Sequence, residues 1–151
     1  MNVKEILECN SKEYPKKSAL IFQEKSIDFL ELKNNAFKLA KFLLDLGLKA
    51  TDTVAIYLPN SLEYVYSYLG IWVAGLVAVP LDYMLTEEEV INFINHSEAK
   101  VLICSFKGGI TKESIKKNCP SVKNIITPRK EEDLIFFDDI LQNNTPSLDF
   151  S

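Results

Sequence analysis

The sequence predicts an α/β protein in which a largely parallel sheet is flanked by helices. Short apolar runs alternate with segments of helical periodicity along residues 53–127. The run TVAIYL at residues 53–58 is apolar nearly throughout, which is typical of a strand buried on both faces of a parallel sheet. Residue pairs of the capping-box type precede three of the predicted helices. These observations together predict repeated strand, helix, strand units.

The first elements after the amino terminus are predicted as two short strands and a helix. Residues 19–23 and 26–29 are short apolar runs separated by two charged residues, and they predict a hairpin. Asp28 and Glu31 form the first capping box, and a helix with one apolar face follows it. We expect Gly47 to end this helix in the left-handed conformation.

Residues 53–82 are predicted as a strand, a helix and a second strand. We expect the helix to begin at a second capping box, formed by Asn60 and Glu63, and to extend to Gly75. The second strand is predicted at residues 76–80 and is expected to be buried, because it is again apolar. A helix of this length can connect two parallel strands.

The same pattern then repeats. Thr86 and Glu89 form a third capping box, and the helix behind it is expected to turn Val90, Phe93 and Ile94 inward. The elements that follow are predicted as a strand, a helix and a strand at residues 100–104, 111–118 and 124–127.

The pattern divides the chain at residue 127. We expect residues 1–127 to form an α/β subdomain, because all the predicted strands and helices lie there. From Pro128 onward the periodicity weakens. We therefore expect residues 128–151 to form a weakly structured connecting segment, with a loosely held tail rich in Asn, Ser and Pro.

Composition restricts the class of protein. The formal net charge of the 151 residues is −4, and no dense basic stripe is present, so nucleic acid is not expected as a partner. Cys9, Cys104 and Cys119 are too widely spaced for a zinc motif or a disulfide framework. Reduced cysteines and a start without an apolar run predict a cytoplasmic protein.

One stretch resembles a membrane span in length. Residues 64–81 are eighteen residues without a charge. They contain two glycines and Pro80, and acidic Glu63 and Asp82 flank them where a span is expected to carry basic residues. We therefore expect a buried helix that runs into a buried strand, and no membrane span.

Few residues carry recognisable chemistry. The chain has neither a GxGxxG nor a GxxxxGK[ST] motif, and Gly108 with Gly109 is the one turn whose free amides could hold an anion. A plain flexible turn is the alternative interpretation. His96 is the only histidine, so no histidine pair can form a metal site, and no nucleophilic triad is visible. Near the end of a helix, His96 is expected to cap carbonyls or face solvent, with a catalytic role as the lesser alternative.

Two further groups of residues have a structural and a chemical interpretation. Acidic clusters are expected at a helix start and in solvated turns, with paired-carboxylate catalysis as the lesser alternative; they are Glu87 to Glu89, Glu131 to Asp133, and Asp138 with Asp139. An aromatic-rich region is expected to pack in the core, and it could also line an apolar ligand pocket; its members are Tyr57, Tyr64, Tyr66, Tyr68, Trp72 and Tyr83.

Three stretches of the chain carry a resemblance to a known family: IDFLELKNNAFKLAKFLLDLGL, TDTVAIYLPNSLEYVYSYLGIWVAGLVAVPLD and TEEEVINFINHSEAKVLICS. They resemble the amino-terminal lobe of the adenylate-forming superfamily, which contains acyl-CoA synthetases, luciferases and the adenylation domains of peptide synthetases. They cover most of residues 19–105 in the order and spacing of that superfamily. The resemblance implies an incomplete amino-terminal lobe of an acyl-CoA synthetase-like fold.

The same resemblance implies the activity of a longer parent protein. Such a parent joins a carboxylic acid to ATP, forms an acyl-adenylate and transfers the acyl group to a thiol such as CoA, with Mg²⁺ as a further requirement. The superfamily's phosphate loop, its nucleotide contacts, its magnesium-binding acid and its carboxy-terminal lysine have no counterpart here. No catalytic, cofactor-binding or metal-binding residue is therefore assigned in this chain, which is expected to be inactive alone.

Two alternatives stay open at this point. The chain could be a stand-alone Rossmann-like module that binds a small ligand at the Gly108 turn. It could also be a truncated lobe whose exposed apolar surface drives self-association.

Overall fold

The structure is a computed structural model that describes residues 1–143. Its helices are α1 (Val3–Glu13), α2 (Phe29–Asp45), α3 (Leu62–Val73), α4 (Glu87–Ser97), α5 (Lys112–Asn118) and α6 (Phe137–Asn143). Its strands are β1 (Ser18–Phe22), β2 (Lys25–Asp28), β3 (Thr53–Tyr57), β4 (Val77–Pro80), β5 (Val101–Cys104), β6 (Asn124–Thr127) and β7 (Ile135–Phe136).

Within residues 1–143, β3 to β7 form one parallel sheet in the order β4-β3-β5-β6-β7. The β1 and β2 strands form a separate antiparallel pair. The predicted α/β class with a largely parallel sheet is confirmed, and so is the predicted hairpin.

Helices cover both faces of the sheet because successive residues of a strand point to opposite sides. Val54 and Ile56 of β3 contribute to a core with α2 and α3, which we call the α2/α3 core. Ala55 and Tyr57 contribute to a core with α4 and α5, the α4/α5 core. All four side chains are fully buried, so the prediction that this strand is buried on both faces is confirmed.

The β4 strand lies at the edge of the sheet, although its apolar sequence predicted a buried strand. The chain passes from β3 outward to β4 and then returns, so that β5 pairs on the other side of β3. This return leaves one edge of β4 unpaired, and the side chain of Val77 is 44% exposed. The prediction of burial was wrong because an apolar run does not specify the order of strands.

Residues 64–81 divide into most of α3, a turn and β4, so the predicted helix followed by a strand is confirmed. Across residues 1–143, no helix combines the length and the apolar character needed to cross a membrane. On the outer side of α3, the Tyr68 and Trp72 rings meet edge to face with their centroids 4.4 Å apart. Trp72 is 45% exposed and lies at the end of the helix that leads to β4.

Two of the three predicted capping boxes mark the start of a helix as expected. Asp28 accepts a hydrogen bond from the Glu31 amide at 2.8 Å and caps α2. Thr86 and Glu89 form the full reciprocal box at α4. Gly47 follows α2 with φ 95°, in the predicted left-handed conformation.

The third predicted box, at Asn60 and Glu63, was wrong by one residue. Ser61 is the N-cap of α3, and its Oγ accepts a hydrogen bond from the Tyr64 amide at 3.1 Å. The same hydroxyl donates to the Pro59 carbonyl at 3.0 Å, which holds it in the capping position.

One residue of α4 points the other way from its prediction. Val90 and Ile94 are fully buried against the sheet, whereas Phe93 is 49% exposed. Adjacent residues of a helix differ by about 100° around its axis, so the face that buries Ile94 turns Phe93 toward the side. Only a narrow stripe of α4 side chains is therefore buried against the sheet.

The α2 and α3 helices approach each other closely at Gly70. A Cβ atom at this position would lie 2.9 Å from Leu39 Cδ2 and 3.0 Å from the Ala36 carbonyl oxygen. Gly70 therefore allows close contact between the two helices. Gly75 has no atom within 4 Å of such a Cβ, and its φ of +76° is the feature that favours glycine.

Residues 135–143 are ordered parts of the fold, which differs from the weakly structured segment expected for residues 128–151. The β7 strand adds to the sheet beside β6, and Phe137 and Ile140 of α6 are buried in the α2/α3 core. Lys38 of α2 also donates to the Leu141 carbonyl at 2.8 Å.

The tail that was expected to be loosely held begins at residue 144 and lies outside the described residues. The division of the chain at residue 127 stays a prediction.

Candidate functional site

The carboxyl ends of β3 and β5 form the candidate functional site. In open α/β sheets, ligands bind outside the carboxyl ends of the strands, at the point where the chain reverses its direction of winding. Here the chain leaves β3 toward β4 on one side and returns to β5 on the other. The crevice between β3 and β5 is therefore the position that the topology favours.

Tyr57, at the end of β3, anchors the loop above this crevice. Its side chain is fully buried, and its hydroxyl lies 3.1 Å from the carbonyl oxygens of both Tyr83 and Leu85, to which it donates. Burial raises the pKa of Tyr57, and the neighbouring Tyr83 raises it further. The tyrosine therefore stays protonated and serves as a hydrogen-bond donor at neutral pH.

Tyr83 connects the two strands that border the crevice. Its ring centroid lies 4.8 Å from that of Tyr57, and its hydroxyl donates to the Ser105 carbonyl at 3.1 Å. Lys107 Nζ lies 4.0 Å from the centre of the Tyr83 ring, within the range of a cation–π contact. Asp82 accepts the Met84 amide at 2.9 Å and fixes the turn. Residues 81–85, the 81–85 loop, thus lie across the crevice as a hydrogen-bonded bridge.

Two depressions flank the 81–85 loop, and Tyr83 contributes to both. The α3-side depression has a volume of about 360 Å³ and is lined by Leu58, Pro59, Asn60, Tyr64, Leu81, Asp82 and Tyr83. The β6-side depression has a volume of about 380 Å³ and is lined by Tyr83, Ser105, Phe106, Thr127, Arg129 and Glu131. Each is large enough for a small molecule.

The turn at Gly108 and Gly109, which was considered as an anion site from the sequence, lies beside the carboxylate of Glu87. It follows β5 at the same end of the sheet, and a Cβ atom on Gly109 would collide with Glu87 Oε2. Negative charge next to this turn opposes the binding of a phosphate. The turn therefore does not fit the anionic ligand that the Rossmann-like alternative requires.

The other candidates from the sequence are dispersed over the fold. His96 is exposed in the last turn of α4, which agrees with the solvent-facing position expected for it. The cluster at Glu87 to Glu89 lies in the first turn of α4, as expected. Asp138 and Asp139 lie in the first turn of α6, so the solvated turn expected for them was wrong. Of the aromatic group, two members line the α3-side depression, Tyr64 and Tyr83.

Sequence reasoning did not single out Lys107, Thr127 or Arg129. A signal for them was present, because each lies at, or within three residues of, the end of a predicted apolar strand. Residues in such positions gather at the carboxyl edge of a parallel sheet.

In the part of the chain that the structure describes, no group of three or more His, Cys, Asp or Glu residues is arranged to hold a metal ion. The one glycine turn at the carboxyl edge faces Glu87. The expectation that the chain has no catalytic, cofactor-binding or metal-binding residue stays a prediction.

Comparison with known proteins settles the family. The model of the family described as AMP-binding enzyme matches residues 7–146. The chain belongs to the AMP-binding enzyme family. The resemblance to the adenylate-forming superfamily is thereby confirmed, and the match extends beyond the residues that first carried it.

Two relatives illustrate the range of the family. The long-chain-fatty-acid–CoA ligase of Bacillus subtilis (strain 168) is 30% identical over 147 residues, which cover 88% of this chain and 26% of the relative. A linear gramicidin synthase of Brevibacillus parabrevis is 34% identical over 89 residues, which cover 59% of this chain and 2% of the relative.

Solved structures of the family share the fold. The anthranilate CoA ligase AuaEII, in complex with anthranoyl-AMP, matches with a TM-score of 0.90 and 26% identity, covering 100% of this chain and 30% of that chain. The N-terminal domain of FACL13 from Mycobacterium tuberculosis matches with a TM-score of 0.80 and 22% identity, covering 97% of this chain and 37% of that one. The second likeness shows the fold alone. This chain spans less than a third of the length of the Bacillus ligase and of AuaEII.

Proposed function

We propose that this chain is the amino-terminal scaffold of an AMP-forming acid–thiol ligase and is inactive by itself. Membership of the AMP-binding enzyme family over residues 7–146 supports the ligase assignment. The names of two relatives, a long-chain-fatty-acid–CoA ligase and an anthranilate CoA ligase, support a carboxylic acid as the substrate of the parent and CoA as the acceptor.

The parent reaction has two steps. The acid's carboxylate oxygen attacks the α-phosphorus of ATP, which releases pyrophosphate and leaves an acyl-adenylate. The sulfur of the thiol then attacks the acyl carbon and releases AMP, giving a thioester. ATP, Mg²⁺ and CoA would be bound by the parent, and no step is assigned to a residue of this chain.

The observation that carries the scaffold role is the 81–85 loop. A catalytic centre at the reversal of the sheet needs an open crevice between β3 and β5. Here Tyr57 and Tyr83 donate to backbone carbonyls across that crevice and hold the loop over it. The position that would otherwise receive a ligand is therefore used to fix the arrangement of strands.

Exchange of labelled pyrophosphate into ATP tests this proposal. The 151-residue chain is incubated with ATP, Mg²⁺ and a panel of aromatic, medium-chain and long-chain acids, with the Bacillus subtilis ligase as the positive control. We expect no exchange above the level without protein. Exchange that depends on the chain and on one of the acids would contradict the assignment of an inactive scaffold.

The reading frame beyond Ser151 tests the parent assignment separately. We expect it to encode a Ser/Thr/Gly-rich loop that ends in Lys-Gly shortly downstream. A frame that continues without such a loop would contradict the ligase parent while leaving the membership of the family unchanged.

Self-association is a further part of the proposal. The β4 strand lies at an edge of the sheet in residues 1–143, and the apolar side chains of Val77 and Trp72 are half exposed. Unprotected edge strands and exposed apolar side chains favour pairing between chains. Sedimentation velocity over a hundredfold range of concentration tests this. A monomer throughout the range would contradict it.

The proposed location is the cytoplasm. Its support is that Cys9, Cys104 and Cys119 are all free thiols, as expected in a reducing compartment.

A further inference from the structure

The β6-side depression lies at the carboxyl ends of two adjacent strands. Ser105 follows β5, and Thr127 is the last residue of β6. The walls are completed by Tyr83 and Phe106, while Arg129 and Glu131 come from the segment that follows β6. Its volume of about 380 Å³ is several times the roughly 30 Å³ that one water molecule occupies in the liquid, so a small solute fits.

Thr127 supplies a buried hydroxyl to this depression. The residue is 2% exposed, and its Oγ1 accepts a hydrogen bond from the Arg129 amide at 3.4 Å. Among residues 1–143, this hydroxyl donates to no partner. Buried hydroxyl groups normally donate a hydrogen bond, because a buried polar group with no hydrogen-bond partner is unfavourable. An acceptor placed in the depression would satisfy it.

Two further donors line the same depression. The Arg129 guanidinium forms no ion pair with any described residue, and the Ser105 hydroxyl makes no hydrogen bond within residues 1–143. A guanidinium presents paired N–H groups that match the oxygens of a carboxylate or a phosphate. The hydrogen-bond donors that line the depression are therefore of the kind that bind an oxyanion.

Glu131 opposes this chemistry. Glu131 lines the depression, but its carboxylate forms no ion pair with the Arg129 guanidinium, so the two charges do not cancel each other. A neighbouring negative charge weakens the binding of an anion. Removing the charge of Glu131 should therefore strengthen the binding of an anion. A merely structural role for Glu131 does not predict this increase.

We propose that the β6-side depression binds a small oxyanion, a carboxylate or a phosphate, through the Thr127 hydroxyl and the Arg129 guanidinium, with Ser105 as a third donor. This site is independent of the ligase assignment, because it depends on residues of this chain and not on the parent's reaction.

Amide chemical shifts of the 151-residue chain, measured while acetate or inorganic phosphate is added at constant ionic strength, test the proposal. We expect saturable shifts centred on Ser105, Thr127 and Arg129. Saturation with acetate alone assigns a carboxylate, saturation with phosphate alone assigns a phosphoryl group, and either one supports the site. The absence of saturable shifts with both anions would overturn it.

Variants identify the donors. Thr127→Val keeps the shape of the side chain but removes a hydrogen bond to a charged group, so it should weaken binding about tenfold, which corresponds to about 1.4 kcal/mol. Arg129→Met should weaken it similarly, and Glu131→Gln should strengthen it severalfold. Lys130→Met is the matched control, because it removes a neighbouring cation that does not line the depression.

Two outcomes with the variants contradict the site. Binding that is unchanged in Thr127→Val would exclude the hydroxyl, and equal weakening by Lys130→Met and Arg129→Met would indicate attraction by general charge only. If Thr127→Val does not fold, Thr127→Ser retains the hydroxyl and should bind as the unsubstituted chain does, while Glu131→Gln still tests the sign of the charge effect. Weak binding by Thr127→Ser, or weaker binding by Glu131→Gln, overturns the proposal.

Discussion

Both faces of the sheet are buried under helices, but they differ in how their contacts relate to the carboxyl ends of the strands. On the α2/α3 face, the helices α2 and α3 approach each other closely at Gly70. On the α4/α5 face the buried strand residues lead directly into polar contacts, because Tyr57 is packed in the core and also holds the 81–85 loop. The first face stabilises the fold, whereas the second also sets the shape of the candidate site.

Packing and site geometry can therefore be altered separately. Changes on the α2/α3 face should alter the free energy of unfolding and leave the depressions intact. Changes near Tyr57 and Cys104 should affect both.

The largest expected effect is that of Gly70→Val. The added atoms would meet Leu39 and the Ala36 carbonyl oxygen at about the distance where real side chains must shift, so α2 and α3 would be forced apart. We expect the free energy of unfolding to fall by about 3 kcal/mol. Urea unfolding followed by circular dichroism measures the change.

Gly75→Ala is the matched control for this substitution. It introduces a Cβ in open space but at a φ of +76°, so it should lower stability by about 1 kcal/mol through backbone strain alone. Equal losses in the two variants would show that the helix contact at Gly70 is not as close as described.

The next effect concerns the α4/α5 face and pH. Burial raises the pKa of Cys104, and the negative charge of Glu131 raises it further. An unfolded cysteine ionises near pH 8.5, so stability is fully present below that pH and declines as the pH rises above it, by about 1.4 kcal/mol per unit. Cys104→Val should remove this contribution between pH 8.5 and 10, as measured by urea unfolding under reducing conditions.

Cys9→Ser serves as the control, because Cys9 is exposed. Its stability should follow the same pH curve as the unsubstituted chain. A Cys104→Val curve that is parallel to the curve of the unsubstituted chain would contradict the buried thiol as the source.

The smallest expected effects on stability are those of two serine substitutions, one within α3 and one at its N-cap. Ser67 of α3 is fully buried, and its hydroxyl has no hydrogen-bond partner among the described residues. Ser67→Ala should therefore leave stability unchanged or raise it by up to about 1 kcal/mol. Ser61→Ala removes the N-cap and should lower stability by about 1 kcal/mol.

Thermal and urea unfolding of both serine variants measure this contrast. A loss on Ser67→Ala that equals the loss on Ser61→Ala would mean that the Ser67 hydroxyl has a partner.

Much of the fold follows from local signals in the sequence. The apolar runs at β3, β5 and β6 predict strands because few exposed segments are so uniformly apolar, and Asp28 and Thr86 mark helix starts because a side-chain oxygen satisfies free amides there. Shorter signals fail. The β7 strand has two residues, too few to show a period, and neither α6 nor α1 was predicted.

The three-dimensional arrangement of the strands and helices was harder to predict from the sequence. The edge position of β4 depends on the order of strands, which no local pattern encodes, and the exposure of Phe93 depends on how α4 is rotated against the sheet. The candidate site depends on contacts between residues far apart in sequence, such as the hydrogen bond from Tyr83 to Ser105. Within the candidate site, the positions of Lys107, Thr127 and Arg129 at or just after strand ends could have been predicted from the sequence.

The position of Trp72 gives the chain an optical reporter. It is the only tryptophan, and it lies half exposed against Tyr68 at the helix end that leads to the unpaired edge of β4. Indole emission shifts to shorter wavelength when water is excluded from the ring. The intrinsic fluorescence of this protein therefore reports on one margin of the sheet, and whatever covers that margin, a second chain or another part of a ligase, would shift its colour toward the blue.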